Sequence, residues 1–140
     1  MYLLDTDHLS IIQRGGKAAS PLFTKLAGLG ANEISATIIS YEEQTRGWLS
    51  YVAKAQTIEA QIEAYSQLQQ HLENYRNIPI VDFDKKSALE FQRLRKIYPR
   101  LGTMDLKIAS ITIANDATLL TRNLSDFGKI LELRFEDWTV

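Results

Sequence analysis

Near its start the sequence reads Tyr2-Leu3-Leu4-Asp5-Thr6-Asp7, a short apolar run that ends at three polar residues. An apolar run of this kind is typical of a buried strand, and Asp or Thr directly after it is typical of a helix cap. We therefore predict a strand over the apolar run and a helix over His8–Arg14, which Gly15-Gly16 ends. This junction places Asp5 at the carboxyl end of the strand.

The same alternation of strand and helix continues along the chain. Further strands are predicted over the short apolar segments Ile34–Ile39, Ile80–Val81, Ala117–Thr121 and Leu133–Phe135. Helices are predicted from Ser20-Pro21 to Gly28, from Ser40 onward with Glu43 completing a capping box, from Asp84 to Pro99, and over Met104–Ala114 with Thr103 as its cap. Alternating elements of this kind indicate an α/β domain built on a parallel sheet.

A long helix is predicted from Lys54 to Arg76, where the sequence contains no Gly or Pro. Its larger apolar residues recur at intervals of three and four, and they are Ile58, Ile62, Tyr65, Leu68, Leu72 and Tyr75. We expect this narrow apolar stripe to pair the helix with the preceding one as a hairpin, and we place His71 on the solvated face.

Composition limits the class of protein. The 140 residues, 45% of them hydrophobic and 24% charged, fit a single domain over 1–140. The lack of cysteine excludes a disulfide scaffold, a thiolate metal site and a cysteine nucleophile. Sixteen Lys and Arg against seventeen Asp and Glu argue against nucleic-acid binding by bulk positive charge. Without an apolar run of membrane length or a basic leader, we expect a cytoplasmic protein with no membrane partner.

Acidic residues fall at several of the predicted strand-to-helix junctions. Asp5, Glu43 and Asp105 each lie at one of them, and Asn123 or Asp126 follows the strand that ends at Thr121. Ligands of a parallel sheet bind beyond the carboxyl ends of its strands, so these side chains should meet at one edge. Gathered carboxylates repel one another unless a cation neutralises them, and oxygen ligands suit Mg²⁺ or Mn²⁺. The arrangement favours metal-assisted cleavage of a phosphodiester.

Each acid taken alone has a simpler explanation. A carboxylate in the first turn of a helix stabilises the helix dipole by about 0.3–1 kcal/mol. Glu43 would serve the Ser40 capping box, Asp105 would follow its cap Thr103, and Asp7 we assign mainly to capping. Capping does not require the acids to share one sheet edge, and this joint placement is what indicates a metal site.

Five segments of the chain, in order, resemble motifs of the PIN domain family, and within it the VapC-like toxin ribonucleases of type II toxin–antitoxin systems. The segments are Tyr2–Asp7, Ile34–Gly47, Thr103–Ser110, Leu120–Phe127 and Phe135–Trp138. Each motif is short, but their order and spacing along the whole chain are specific. The resemblance implies a three-layer α/β/α domain with a central, mainly parallel sheet and a long helical hairpin.

The resemblance also implies roles for individual residues. Asp5, Glu43 and Asp105 match the family's three acidic metal-site positions, with Asp5 and Asp105 as direct Mg²⁺ ligands. Glu42 is the fallback for Glu43. The fourth family position, often Asp, is Asn123 here, which removes one charge from the site.

Supporting roles follow from the same resemblance. Asp126 either compensates for the missing charge at position 123 or, as is more usual in the family, ends the local turn, and Thr121 would hold a carboxylate or a water. Among the basic residues we expect Arg46 and Arg122 to contact the RNA backbone. We expect the aromatic residues Trp48, Tyr51 and Tyr65 to serve in packing or at an interface.

The implied activity is that of a Mg²⁺-dependent endoribonuclease in which a metal-activated water hydrolyses RNA, for example a tRNA. The implied partners are a cognate antitoxin and a second copy of the chain in a homodimer. Two alternatives stay open. Asp5-Thr6-Asp7 mimics the D-x-D of aspartyl phosphatases, although no late acidic pair follows a strand. The asparagine at 123 also fits a catalytically weak PIN-fold binding module.

Overall fold

Five short strands form one sheet in the computed structural model, which describes residues 1–140. The strands are β1 (Tyr2–Leu4), β2 (Ile34–Thr37), β3 (Ile80–Val81), β4 (Thr118–Leu120) and β5 (Phe135–Glu136). Their order across the sheet is β3-β2-β1-β4-β5, and every neighbouring pair is parallel. The sequence predicts each of these strands in its place along the chain, and the structure confirms the parallel sheet.

Seven α-helices connect or flank the strands. They are α1 (Thr6–Arg14), α2 (Ser20–Leu26), α3 (Ile38–Lys54), α4 (Ile58–Arg76), α5 (Lys85–Ile97), α6 (Thr103–Ala114) and α7 (Leu124–Phe127), with short 3-10 helices at Lys17–Ala19 and Ala31–Glu33. None of the helices combines the length and the apolar character that crossing a membrane requires.

Alternate residues of the strands build two separate cores, because successive side chains of a strand point to opposite faces. Leu3 and its register partner Leu119 lie in the core beneath α5 and α6. Leu4 and its partner Leu120 lie in the other core, with Leu9 of α1 and other side chains of that layer. The sheet is thus covered on both faces, which is the predicted three-layer α/β/α architecture.

The predicted hairpin is formed by α3 and α4, but of the predicted apolar stripe of α4 only Tyr75 is buried in it. Ile58, Ile62, Tyr65 and Leu72 are each more than half exposed. His71, which the sequence places on the solvated face, is instead 3% exposed, and its ring stacks on Tyr41 at 5.4 Å. That prediction is wrong because α4 turns its Ala64–His71–Tyr75 face inward, where α3 supplies aromatic and hydroxyl partners.

Two predicted helix starts are also corrected. The predicted strand over Ile34–Ile39 ends at Thr37, whose hydroxyl accepts the Ser40 N–H at 3.1 Å and caps α3. Ser40 is therefore a buried residue inside the helix, and no Ser40–Glu43 capping box forms. Gly102 rather than Thr103 occupies the cap position of α6.

The strand order creates a crevice next to β1. The chain builds β2 and then β3 to one side of β1 before it returns to place β4 on the other side. In sheets of this kind the connections leave β1 and β4 in opposite directions, and ligands bind between their carboxyl ends. The residues that follow β1 and β4 are Asp5 and Thr121.

The core assignment predicts a large effect of truncation at Leu119, which is fully buried. Leu119→Ala should lower the free energy of unfolding by about 2–5 kcal/mol, because the lost contacts leave a cavity between the sheet and α6. Urea denaturation followed by circular dichroism measures this. The matched control is Leu131→Ala, at a side chain that is 89% exposed, and equal losses in the two variants would contradict the assignment.

Candidate active site

Asp5 is held at the crevice by two hydrogen bonds. As the N-cap of α1, it accepts the Thr6 N–H at Oδ1, at 2.7 Å. Its Oδ2 accepts the hydroxyl of Thr121, also at 2.7 Å. The side chain is 7% exposed. The second bond joins the residue after β1 to the residue after β4, so the carboxylate has a fixed orientation at the point where the sheet connections diverge. The structure places Thr121 where it holds a carboxylate, one of the two roles considered for it.

Glu43 reaches the same crevice from α3. Its Oε1 accepts the hydroxyl of Thr6 at 2.9 Å, and that hydroxyl oxygen lies 3.1 Å from the hydroxyl oxygen of Ser40. Thr6 therefore contacts both carboxylates, Asp5 through its N–H and Glu43 through its hydroxyl. The sequence predicts no site role for Thr6, and the one available signal is its position directly after Asp5.

Asp105 approaches from the first turn of α6 and is half-buried. A β-carbon built on Gly102 would stand 3.8 Å from its Oδ2, so the absence of a side chain at the cap position leaves room beside this carboxylate. No hydrogen bond from the protein reaches the Asp105 carboxylate in the structure, and both of its oxygens are available to a ligand.

Asn123 and Asp126 form the turn after β4. The Asn123 side chain caps α7 because its Oδ1 accepts the Asp126 N–H at 3.4 Å, and its Nδ2 donates to Asp126 Oδ2 at 3.2 Å. The Asn123 backbone N–H donates to the Thr121 hydroxyl at 3.0 Å. Asn123 is thus occupied in the turn. Asp126 lies close enough for its charge to raise the pKa of Asp105.

Burial and mutual repulsion raise the pKa of all three central carboxyls. Burial raises the pKa of Asp5 to about 6, against an ordinary value of 3.8, and the charges of Asp7 and Asp105 add to the effect. Burial likewise raises the pKa of Glu43, with further contributions from Asp105 and Asp7. Burial raises that of Asp105, helped by Asp126 and Asp7. The structure therefore brings together the acids that the sequence analysis places at separate junctions.

Asp7 has a different place from the one expected. The cap of α1 is Asp5, and Asp7 is an exposed residue in the first turn of that helix. Its charge nevertheless raises the pKa of Asp5, Glu43 and Asp105 alike, so it belongs to the electrostatic environment of the site. The D-x-D spacing at the end of β1 is the sequence signal for it.

The donor set fits a hard divalent cation bound with few direct protein ligands. No three Asp, Glu or His side chains converge closely enough to enclose a metal ion by themselves. Mg²⁺ retains several waters and takes one or two carboxylates directly, so a closed protein cage is not needed. Burial, and to a smaller extent the neighbouring acids, raises the pKa of these carboxyls and so disfavours their negative charge, which a bound cation would neutralise.

The remaining predicted site residues lie further out. Glu42 and Arg46 form an ion pair with each other at 2.6 Å on the outer side of α3, with the Arg46 side chain 72% exposed. Glu43 rather than Glu42 therefore contacts the residues of the crevice. Arg122 is exposed beside Thr121 and forms no ion pair in the structure.

The PIN domain family matches residues 2–130, nearly the whole chain. The chain belongs to the PIN domain family. A curated relative, Ribonuclease VapC2 of Rickettsia felis, is 37% identical over 65 residues, 44% of this chain. The match spans about half of that relative's length, 48%.

Solved structures share the PIN fold over almost the full chain. The complex VapBC2 from Rickettsia felis, bound to a DNA fragment from its promoter, contains a chain with a TM-score of 0.75 and 25% identity, with 98% of both chains covered. A chain of VapBC-1 from nontypeable Haemophilus influenzae has a TM-score of 0.73 and 22% identity, and the match covers 99% of this chain and 98% of that chain.

Because its pKa is raised, Asp5 should make the folded protein less stable as the pH rises. Between pH 3.8 and about 6 the folded protein keeps a proton that the unfolded chain has released. The free energy of unfolding, measured by urea denaturation in EDTA, should therefore fall across this range, by up to about 3 kcal/mol. Asp5→Asn should be more stable than the wild type at pH 7, and the difference should close toward pH 4. Asp82→Asn, at an exposed aspartate, should keep the wild-type profile; a parallel profile for Asp5→Asn would contradict the assignment.

Proposed function

We propose that this PIN domain protein is a Mg²⁺- or Mn²⁺-dependent endoribonuclease that hydrolyses RNA and acts as the toxin of a toxin–antitoxin pair. The observation that carries the proposal is that Asp5, Glu43 and Asp105, which come from the cap of α1, from α3 and from α6, lie within electrostatic reach of one another at the sheet crevice. The name of the curated relative, a ribonuclease, supports RNA as the substrate class.

The protein's part in the reaction is to hold carboxylate oxygens in place. Thr6 and Thr121 each donate a hydrogen bond to one oxygen of Asp5 and so fix the orientation of the carboxylate. The carboxylate therefore needs little reorganisation to bind a cation. Thr6 holds Glu43 by Oε1 and leaves Oε2 free to accept a hydrogen bond from a water. When bound, Mg²⁺ would supply an acidified water and stabilise negative charge at phosphorus.

Asp105 and Asp126 complete the proposed site. Asp105 presents two oxygens without protein partners, which suits a direct metal ligand. Asn123 caps the turn and donates to Asp126, so the fourth position contributes by placing Asp126, whose charge reaches Asp105. In this arrangement Asp126 supplies the charge that the asparagine lacks.

The match to the PIN domain family over residues 2–130 argues against the aspartyl phosphatase alternative. The sequence also lacks the late acidic pair after a strand that such a phosphatase needs.

Partners of this protein are proposed from its relatives. The similar structures are described as VapBC complexes, one of them bound to promoter DNA, and their toxin-like fold covers almost all of this chain. On this basis we include a cognate antitoxin as a partner, together with the homodimer that the motif resemblance implies. A small upstream reading frame for a DNA-binding antitoxin beside this gene would decide the biological role. Arg122, which is exposed and follows Thr121, is a candidate contact for the RNA backbone.

Removing either of two carboxylate charges should abolish cleavage. Asp5→Asn and Asp105→Asn should each lower the rate of Mg²⁺-dependent RNA hydrolysis at least about a hundredfold, because each takes away charge stabilisation worth several kcal/mol. Growth inhibition on expression should disappear with the activity, while circular dichroism shows the fold intact. Glu42→Gln, at the neighbouring acid that pairs with Arg46, is the matched control and should stay active.

Two outcomes would decide against the proposal. Undiminished Mg²⁺-dependent cleavage by both variants would exclude the carboxylate mechanism. A wild-type protein that cleaves no RNA with Mg²⁺ or Mn²⁺ would favour the binding-module alternative.

Metal binding has a readout that does not depend on activity. Mn²⁺ or Mg²⁺ at about 100 times its Kd should stabilise the wild type by about 2.7 kcal/mol, seen as a higher Tm than in EDTA. Asp5→Asn and Asp105→Asn should lose this difference, whereas Glu42→Gln should keep it. A metal-induced rise in Tm that survives in both variants would place the ion elsewhere.

A further inference from the structure

A cleft of about 590 Å³ lies between α1 and the α3–α4 hairpin, beside the carboxylates. We name it the amide cleft because five side-chain amides line it: Gln13, Gln44, Gln67, Gln70 and Asn74. Asp7 also lines it and connects it with the acidic site, and Arg14 provides one positive charge. The volume is in the range of pockets that bind small organic ligands.

One wall of the amide cleft is aromatic. Trp48 and Tyr51 line it on successive turns of α3, with ring centroids 5.8 Å apart in an edge-to-face arrangement. Tyr51 is 45% exposed. The sequence alone predicts that both residues serve in packing or at an interface, and the structure places them at the wall of an open cleft. Aromatic faces in such a position stack on unpaired bases.

The amides on α4 retain hydrogen-bonding atoms that the protein does not use. Gln67 donates through Nε2 to Glu63, and Gln70 donates through Nε2 to Asn74, both at 2.9 Å. These bonds orient the groups and leave Gln67 Oε1 and Gln70 Oε1 as acceptors and Asn74 Nδ2 as a donor. Acceptors and donors on neighbouring turns of one helix match the mixed edges of a nucleobase.

Side-chain hydrogen bonds join the residues at the floor of the cleft. Gln44 accepts from the Tyr75 hydroxyl at 2.7 Å and donates to Ser10 Oγ at 3.1 Å. His71, 3% exposed, has its Nε2 at 2.7 Å from Thr45 Oγ1. These bonds connect α1, α3 and α4 beneath the cleft.

The polarity of the lining favours a nucleotide over a peptide helix. Grooves that take an amphipathic helix present aliphatic surface, and the lining of the amide cleft includes no aliphatic side chain. We propose that the amide cleft binds one unpaired base of an RNA whose backbone lies at Asp5, Glu43 and Asp105, with the base stacked on Trp48 or Tyr51 and read by Gln67, Gln70 and Asn74. This inference rests on the proposed function and names its substrate as RNA that is single-stranded at the cleavage site.

Binding measured without cleavage tests the proposal. Fluorescence anisotropy in EDTA would follow a labelled single-stranded RNA of about ten nucleotides, a typical footprint for such sites, and a duplex of the same sequence. The wild type should bind the single strand more tightly. Trp48→Ala and Gln70→Ala should weaken that binding by about tenfold or more, the effect of a lost stacking platform. The matched controls Tyr65→Ala and Gln69→Ala change exposed residues of α4 outside the cleft and should bind as the wild type does.

A second variant adds bulk instead of removing a contact. Gly47 lines the cleft, and a β-carbon built on it meets no other atom within 4 Å. Gly47→Leu should therefore leave Tm undiminished, since leucine favours the helix, and should weaken single-strand binding by filling the cleft.

The outcomes separate the inference from the proposed function. Unchanged single-strand binding by Trp48→Ala and Gly47→Leu, or equal affinity of the wild type for duplex, overturns the inference. If these variants no longer bind the cognate antitoxin but still bind RNA as the wild type does, the inference is also overturned and the cleft is assigned to a protein partner. If the cleft variants weaken RNA binding but the wild type cleaves no RNA with Mg²⁺, the base-binding role of the cleft is supported and the proposed nuclease activity is refuted.

Discussion

The hydrogen bond from Thr121 to Asp5 is the contact on which the candidate site depends. It joins the residues that follow β1 and β4, neighbouring strands whose connections leave the sheet in opposite directions. Because the parallel register aligns Leu4 with Leu120, the next residue of each strand arrives at the same level. The carboxylate can then be both the cap of α1 and a fixed group at the crevice.

The site gathers charge that works against folding, and the sheet supplies the compensation. Burial and the neighbouring acids raise the pKa of Asp5, so the ionised site costs free energy in the absence of a cation. Leu3 and Leu4 of β1 point into opposite cores, so this central strand is covered on both faces. The apolar burial on both faces of this strand stabilises the fold and offsets the electrostatic cost of the acidic residues at its carboxyl end.

One face of α1 links the acidic site to the amide cleft. Thr6, Ser10 and Gln13 recur at intervals of four and three, so they lie along a single stripe of the helix. Thr6 contacts Glu43, while Ser10 and Gln13 contact Gln44, the next residue of α3. The polar contact between these two helices therefore positions a carboxylate at one end and forms the floor of the cleft further along.

The sequence by itself determined the five strands, the parallel sheet and the junction acids Asp5, Glu43 and Asp105, because apolar runs and the residues that follow them are local signals. Only the tertiary structure decided that Thr37 caps α3, that His71 is buried while the Ile58–Ile62 stripe is exposed, and that Thr6 contacts both Asp5 and Glu43. Such features depend on which face of a helix meets a partner distant in sequence. Hydrophobic periodicity shows that a helix has two faces, but a neutral histidine with a hydroxyl and an aromatic ring beside it can be buried as readily as an isoleucine.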